Sequence, residues 1–312
     1  MSDGRRRAPS SRRIARAAAT TLLAAAFAAG CAHAPPGADG DGVAITPDSV
    51  TTALWHMDET GGTSVYESGR FHLEGRAGVD TRTDFGRVRS ARLFTRSIDS
   101  FVWVPYNPVL ESPTGLTVEA WIYLNAYGQY EDTPIAARWT QAANEQSWMF
   151  SVLGLNMRPR APDPRGGPFI PPPSPGYHDV LIAGGGSGPR GRLMFVFQPD
   201  DASALRAYFS TRGIPLTRWV HVAVTFDETV VRIWIDGEMD AQFATRARIR
   251  TSRTGLLIGN YFDPRWLSDF SGDLRVLNAP DKNPYYAFDG FIDELRVSKA
   301  ARPDFDYAKS VR

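Results

Sequence analysis

The chain has 312 residues, of which 43% are hydrophobic and 12% aromatic, enough apolar material for one large core or two small ones. Its formal net charge of +1 removes bulk electrostatics as a reason to bind nucleic acid or an anionic surface. Arginine supplies nearly all the positive charge, since lysine stands only at Lys282, Lys299 and Lys309.

The chain opens on Arg5, Arg6, Arg7, Arg12, Arg13 and Arg16, followed by an apolar run from Ala17 to Ala29. A basic start and an apolar run this short mark a targeting segment, since the run is too short for a comfortable membrane-spanning helix. Ala28-Ala29-Gly30-Cys31 follows and resembles the bacterial lipobox, with Ala28 where leucine is usual. The resemblance implies that residues 1–31 are a lipoprotein signal ending at Cys31 and that Cys31 carries the lipid. Cys31 is the sole cysteine, so it has no disulfide partner within the chain. Ala32 at the next position points to the outer membrane or cell surface, with the periplasmic face as the other side available. Several acyl chains make a stable anchor where one is marginal, so contact with the membrane is expected through the lipid alone. Residues 32–48 are rich in Pro, Gly, Ala and Asp, cannot bury a core, and read as a flexible tether.

From residue 49 the pattern becomes β. Ala53–Glu59 reads as a first strand, followed by Gly61-Gly62 and the segment Glu67–Gly75. Ala91–Phe94 and Phe101–Val104 read as the next paired strands. Gly115–Leu124 alternates at period two, with Leu116, Val118, Ala120, Ile122 and Leu124 on one face and Thr117, Glu119, Trp121 and Tyr123 on the other. Short strands are expected at Ile135–Trp139, Trp148–Leu153 and Val180–Ala183. Between the last two lies 158–176, whose prolines cannot join a ladder and which reads as a surface insertion. Arg192–Gln198 and Ala204–Phe209 read as a hairpin. The strongest pattern is Trp219–Gly237, where two alternating runs are broken at Asp227-Glu228-Thr229 and close on Asp236-Gly237, a pair suited to a tight hairpin turn. A third strand through Met239–Phe243 completes a meander. Thr254–Asn260, a second insertion near 261–284 and the run Phe288–Ser298 finish the chain.

Several of these runs resemble, in order, the signatures of laminin-G-like domains in the concanavalin A-like lectin and glucanase group. They are Glu67–Gly75, Val102–Pro105, the Thr117-Val118-Glu119-Ala120-Trp121 strand, the Trp219–Asp227 and Ile233–Gly237 hairpin, the Leu-x-Ile-Gly run within Thr254–Asn260, and Phe288–Val297. The resemblance spans roughly residues 50 to 305 and implies an all-β, two-sheet antiparallel jelly-roll sandwich over 49–312. It also implies a structural calcium where the first and last strands lie side by side, with Asp58 and Asp293 as its side-chain ligands.

Catalysis finds little support. Glycoside hydrolysis needs two carboxylates flanking one bond. Asp293-Glu294 is the nearest pair, and neighbours on a regular strand point to opposite faces. No Gly-x-Ser-x-Gly elbow is present, and the histidines His33, His56, His72, His178 and His221 lack zinc-type spacing. Glu119 is expected to face a polar groove or pair with an arginine, and His221 to be a satisfied structural histidine. The expectation is therefore a non-enzymatic binding module for a glycan or an extracellular protein, with a scaffolding role as the alternative and a carbohydrate-active enzyme as the less favoured one. Aromatic side chains stack on sugar rings, which nominates Trp121, Tyr123, Trp234 and Trp266 as ligand-binding residues.

Overall fold

The computed structural model describes residues 42–128, 132–140, 145–155, 157–159, 181–183, 189–201, 203–269, 272–277, 279 and 287–309. The signal segment with Cys31, the tether as far as residue 41, most of the proline-rich 158–176 and part of 261–284 lie outside them.

The strands are, in chain order, β1 (Thr51–Trp55), β2 (Ser64–Val65), β3 (Gly75–Ala77), β4 (Arg82–Phe85), β5 (Ser90–Thr95), β6 (Val102–Val104), β7 (Leu116–Leu124), β8 (Thr133–Trp139) and β9 (Gln146–Val152). They continue with β10 (Met157–Pro159), β11 (Leu181–Ala183), β12 (Arg192–Phe197), β13 (Arg206–Gly213), β14 (Trp219–Phe226), β15 (Val230–Ile235), β16 (Glu238–Ala244), β17 (Leu256–Ile258) and β18 (Asp289–Ser298). A single helical turn, α1 (Asp306–Lys309), follows. One antiparallel sheet runs β16-β15-β14-β7-β18-β5-β4, with β1 also paired to β18, and the other runs β13-β12-β9-β8-β17-β6-β3-β2. Met157–Pro159 and Leu181–Ala183 pair as a separate ribbon at the base of the proline-rich insertion.

The two sheets form a jelly-roll sandwich because their inner faces are continuous hydrocarbon. Leu116, Val118, Ala120, Ile122 and Leu124 of β7 all enter the central core, as do Val220, Val222, Val224 and Phe226 of β14. Trp148, Phe150, Phe195 and Phe197 meet them from the opposite sheet, and the rings of Phe197 and Phe226 lie 5.3 Å apart. Each Val, Leu, Ile or Phe among them stabilises by roughly 1.5–3 kcal/mol relative to exposure.

The meander is built as its sequence demands. Asp227 Oδ1 accepts the backbone N–H groups of Thr229 and Val230, which fixes the first turn. Asp236 and Gly237 hold φ values of 52° and 72°, the left-handed pair of a type I′ turn. Ala91–Phe94 and Phe101–Val104 are not partners. β5 lies between β18 and β4 in one sheet, while β6 lies between β17 and β3 in the other. Both edges of β5 are already taken, so residues 96–101 cross from sheet to sheet.

Candidate functional site

Three places hold the residues nominated from sequence. The first is the outer face of the β14–β7–β18 sheet. Alternation sends Thr117, Glu119, Trp121 and Tyr123 outward from β7, and Trp219, His221, Ala223 and Thr225 outward from β14. Register then sets Trp219 beside Tyr123 and His221 beside Trp121. The aromatics do not form an open platform. Trp121, Tyr123 and Trp234 retain only 4%, 5% and 8% of their surface. Residues 300–309 cross this face, and Phe305 is fully buried with its ring 5.3 Å from both His221 and Trp234. The Arg87 guanidinium lies 5.4 Å above the Trp121 ring. Alternation marks a residue as facing away from the core, but it does not disclose a second layer.

Beneath that layer is a closed polar network. Glu119 is fully buried. Its Oε1 accepts from Arg296 Nε at 2.7 Å and pairs with Arg296 Nη2 at 2.6 Å. Its Oε2 meets His221 Nε2 at 3.2 Å and accepts the Tyr307 hydroxyl. Arg302 Nε stands 3.6 Å from Oε1. Burial pushes the Glu119 carboxyl up, but the His221 hydrogen bond and charge, with Arg296 and Tyr307, outweigh it and hold the group below its ordinary value. Burial and the adjacent Glu119 charge push the Tyr307 phenol well above its own. Glu119 is thus ion-paired, as one of its sequence readings required. Arg296, Phe305 and Tyr307 were not singled out from sequence. The available signal was the alternation of Phe305 and Tyr307 after the last strand.

The second place is the corner where the end of β1 meets β18. β18 does not keep strict alternation there. Its register to β7 shifts between Asp293 and Arg296, and Glu294 adopts φ of 53°. This is a β-bulge, in which the extra residue re-aims its neighbours. Ile292 and Leu295 both enter the central core, so Asp293 and Glu294 are turned away from it together. The expectation of opposite faces is therefore corrected. Both carboxylates are fully buried. Glu294 accepts the Ile45 N–H at 2.6 Å and contacts His56 Nδ1 at 2.7 Å. Asp293 Oδ2 accepts the Val88 N–H at 2.8 Å, while Oδ1 has no hydrogen-bond partner among the described residues. Asp58 accepts the Ser90 N–H at 3.1 Å and pairs with Arg89 at 3.3 Å. Burial above all, with the charges of Glu294 and Asp58, drives the Asp293 carboxyl well above its ordinary value. Among the described residues no group of three or more His, Cys, Asp or Glu side chains is placed to hold a metal ion.

The third place is the second insertion. Residues 261–269 and 272–277 lie over the outer face of the other sheet, where Phe262, Leu274 and Val276 pack on Phe101, Trp103 and Leu257. Pro264–Trp266 is one 3₁₀ turn, capped by Asp263 accepting the Arg265 N–H at 3.0 Å. The chain then doubles back, with Leu267 bridged to Val276 and the Leu277 N–H donating to the Trp266 carbonyl at 2.8 Å. Trp266 is half-buried against this cluster, and Leu277 beside it is 52% exposed. Two ion pairs lie at this element: Asp263 with Arg265 within it, and Arg275 with Asp99 of the 96–101 crossover at 3.8 Å. Trp266 thus lies on the opposite sheet from Trp121, Tyr123 and Trp234, so the four nominated aromatics do not converge on one site.

The architecture is that of a concanavalin A-like jelly roll. A family model described as the concanavalin A-like lectin/glucanases superfamily (Laminin_G_3) matches residues 173–282. Among solved structures, the chain is similar to the binding domain of Paraclostridial Mosquitocidal Protein 1, with TM-score 0.51 and 10% identity over 84% of this chain and 50% of that one. It is similar to domain 4 of AbnA, a GH43 extracellular arabinanase from Geobacillus stearothermophilus, solved in complex with arabinotriose. That match has TM-score 0.50 and 16% identity over 84% of this chain and 97% of the other. The binding domain of botulinum neurotoxin serotype G gives TM-score 0.51 and 12% identity over 84% of this chain and 49% of that one. The chain therefore spans about half the length of the two toxin domains and nearly all of the arabinanase domain. At these identities the likeness is one of fold. No curated protein matches the sequence.

Proposed function

We propose that the chain is a non-catalytic glycan-binding module, held on the bacterial envelope by a lipid on Cys31, with Trp266 as a sugar-stacking residue. The observation that carries this reading is the pairing of Trp266, half-buried, with exposed Leu277 on an element that also presents the Asp263–Arg265 pair and sends Arg275 to Asp99. An aromatic face stacks on the apolar face of a sugar ring, and planar charged groups beside it meet the hydroxyls. Two of the similar solved structures are described as binding domains, and the arabinanase domain was captured with arabinotriose, which supports a glycan as ligand. Glu119 and His221 are spent on a sealed internal network, which favours binding over catalysis. The test is a glycan array, including arabino-oligosaccharides and sialylated glycans, on wild type and Trp266→Ala. Binding by the wild type that falls at least tenfold in the variant is expected. Unchanged binding in the variant moves the site elsewhere, and no binding by the wild type overturns the reading.

The lipid anchor rests on Ala28-Ala29-Gly30-Cys31, and places the module at the outer membrane or cell surface. We also propose a structural calcium between Asp58 and Asp293. Supporting it are the buried, unpartnered Asp293 Oδ1 and the pressure of three neighbouring carboxylates at one corner. A hard cation takes oxygen ligands, and backbone carbonyls would complete its shell.

A further inference from the structure

We propose that the C-terminal segment is a releasable strap that competes with a sugar ligand for the aromatic outer face it covers. This rests on the glycan reading above and adds a second, latent face to it.

The segment is attached in two unlike ways. Its first part is fastened to the framework. The Thr117 hydroxyl donates to the Ala300 carbonyl at 2.6 Å and accepts the Arg302 N–H at 3.0 Å. The Arg302 guanidinium donates to Asp48 at 2.8 and 2.9 Å and to Thr51 Oγ1 at 3.1 Å. Beyond Arg302 the attachment changes. Pro303 and Asp304 are exposed. Among the described residues no backbone hydrogen bond ties 303–309 to the sheet; Ala308 N–H to the Phe305 carbonyl is internal to the segment. The distal part is held by side chains alone: Phe305, Ala308 and the Tyr307 hydroxyl on Glu119. It can lift about Arg302 without breaking a ladder. Gly237 leaves room for it, because a Cβ there would lie 2.5 Å from the Phe305 carbonyl oxygen.

What lies beneath is unusual for a surface that is merely structural. Phe305 sits on Trp234 and His221, and the aromatic surface runs on through Trp121, Tyr123 and Trp219. Two polar atoms of β14, Trp219 Nε1 and His221 Nδ1, are buried without a partner among the described residues. Native proteins rarely leave such groups unsatisfied. A platform of rings with an unpartnered indole N–H and an unpartnered imidazole nitrogen suits a hydroxyl-rich ring. A ligand for a covered face binds with its intrinsic affinity multiplied by the open fraction.

The test compares the full chain with Tyr307→Phe, which keeps the ring and removes the hydroxyl, and Phe305→Ala, which removes the plug. Hydrogen exchange of 303–309 and acrylamide quenching of tryptophan fluorescence report opening without any ligand. Affinity for the glycan best bound on the array, measured in a Trp266→Ala background so that the opposite sheet does not contribute, reports competition at this face. Both variants should exchange faster, and affinity should rise about tenfold, the equivalent of ~1.4 kcal/mol. Unchanged exchange and quenching in both variants overturn the strap. Faster exchange with unchanged affinity overturns the competition while the glycan reading stands. Faster exchange with no glycan bound by any form overturns the glycan reading, and the competition with it.

Discussion

Replacing Glu119 by alanine probes how the outer layer is pinned to the sandwich. The carboxylate is fully buried and lies within 2.6 Å of Arg296, whose side chain is itself only 6% exposed. Removing it leaves the buried Arg296 guanidinium with the Thr46 carbonyl as its hydrogen-bond partner but without the carboxylate that balances its charge. Breaking a buried pair in this way costs about 3–5 kcal/mol. At roughly 2–4 °C per kcal/mol for a domain of this size, the midpoint should fall by about 6–20 °C. Urea unfolding followed by tryptophan fluorescence, with calorimetry alongside, measures both quantities. The double variant Glu119→Ala/Arg296→Met should recover much of the loss, because no charge is then stranded. The pH dependence has a definite sign. The Glu119 carboxyl is held below its ordinary value when folded. Its contribution is therefore present above the usual carboxylate range and is lost as pH falls through the lowered value. The gap between wild type and Glu119→Ala should close in acid. A cost under ~1 kcal/mol at pH 7, the level of a solvated pair, would refute the reasoning, as would a gap that persists in strong acid.

Differential scanning fluorimetry on protein first stripped of metal should show calcium raising the midpoint, by ~2.7 kcal/mol of stabilisation at a hundredfold excess over Kd. Asp293→Ala should remove the response while still folding, and coincident wild-type curves with calcium and with chelator would reject the metal. Cys31→Ser should move the protein from the membrane to the soluble fraction, and continued membrane fractionation would reject the anchor. Trp266→Ala should lose glycan binding with little change in midpoint, since the ring is only half-buried. A fall of many degrees would show it to be a packing residue instead.

Much of the fold was legible because a strand with one buried face must alternate, and β7, β14 and β15 do so without interruption. Asp236-Gly237 named its own turn, since few other pairs accept two successive positive φ values. The candidate sites were less legible, for reasons of geometry. Trp121 and Trp234 alternate outward like any solvent-facing residue, and nothing local to them reports that Phe305 lies above. Asp293 and Glu294 were assigned opposite faces by a period-two rule that the bulge at Glu294 suspends. Such a bulge depends on register against β7, a contact made far along the chain. The pairing of β5 with β18 was missed for the same reason: nearness in sequence favoured β6, and the real partner lies almost two hundred residues away, as Leu93 opposite Phe291 illustrates.

The position of β18 bears on how the protein is made. β18, the last strand among the described residues, is not an edge but lies in the middle of its sheet, with β7 on one side and β5 and β1 on the other. Until residues 289–298 are synthesised, β7 and β5 have no neighbour between them and β1 has no partner in the sheet. A nascent chain can form the meander early, but it cannot close the sandwich until residues 289–298 have left the ribosome. Pairings this distant in sequence make folding slow. They also leave strand edges bare in the interval, the condition under which chains associate wrongly. A chain halted before Asp289 should therefore be protease-sensitive and prone to aggregate, and protection should arrive in one step when the final strand emerges.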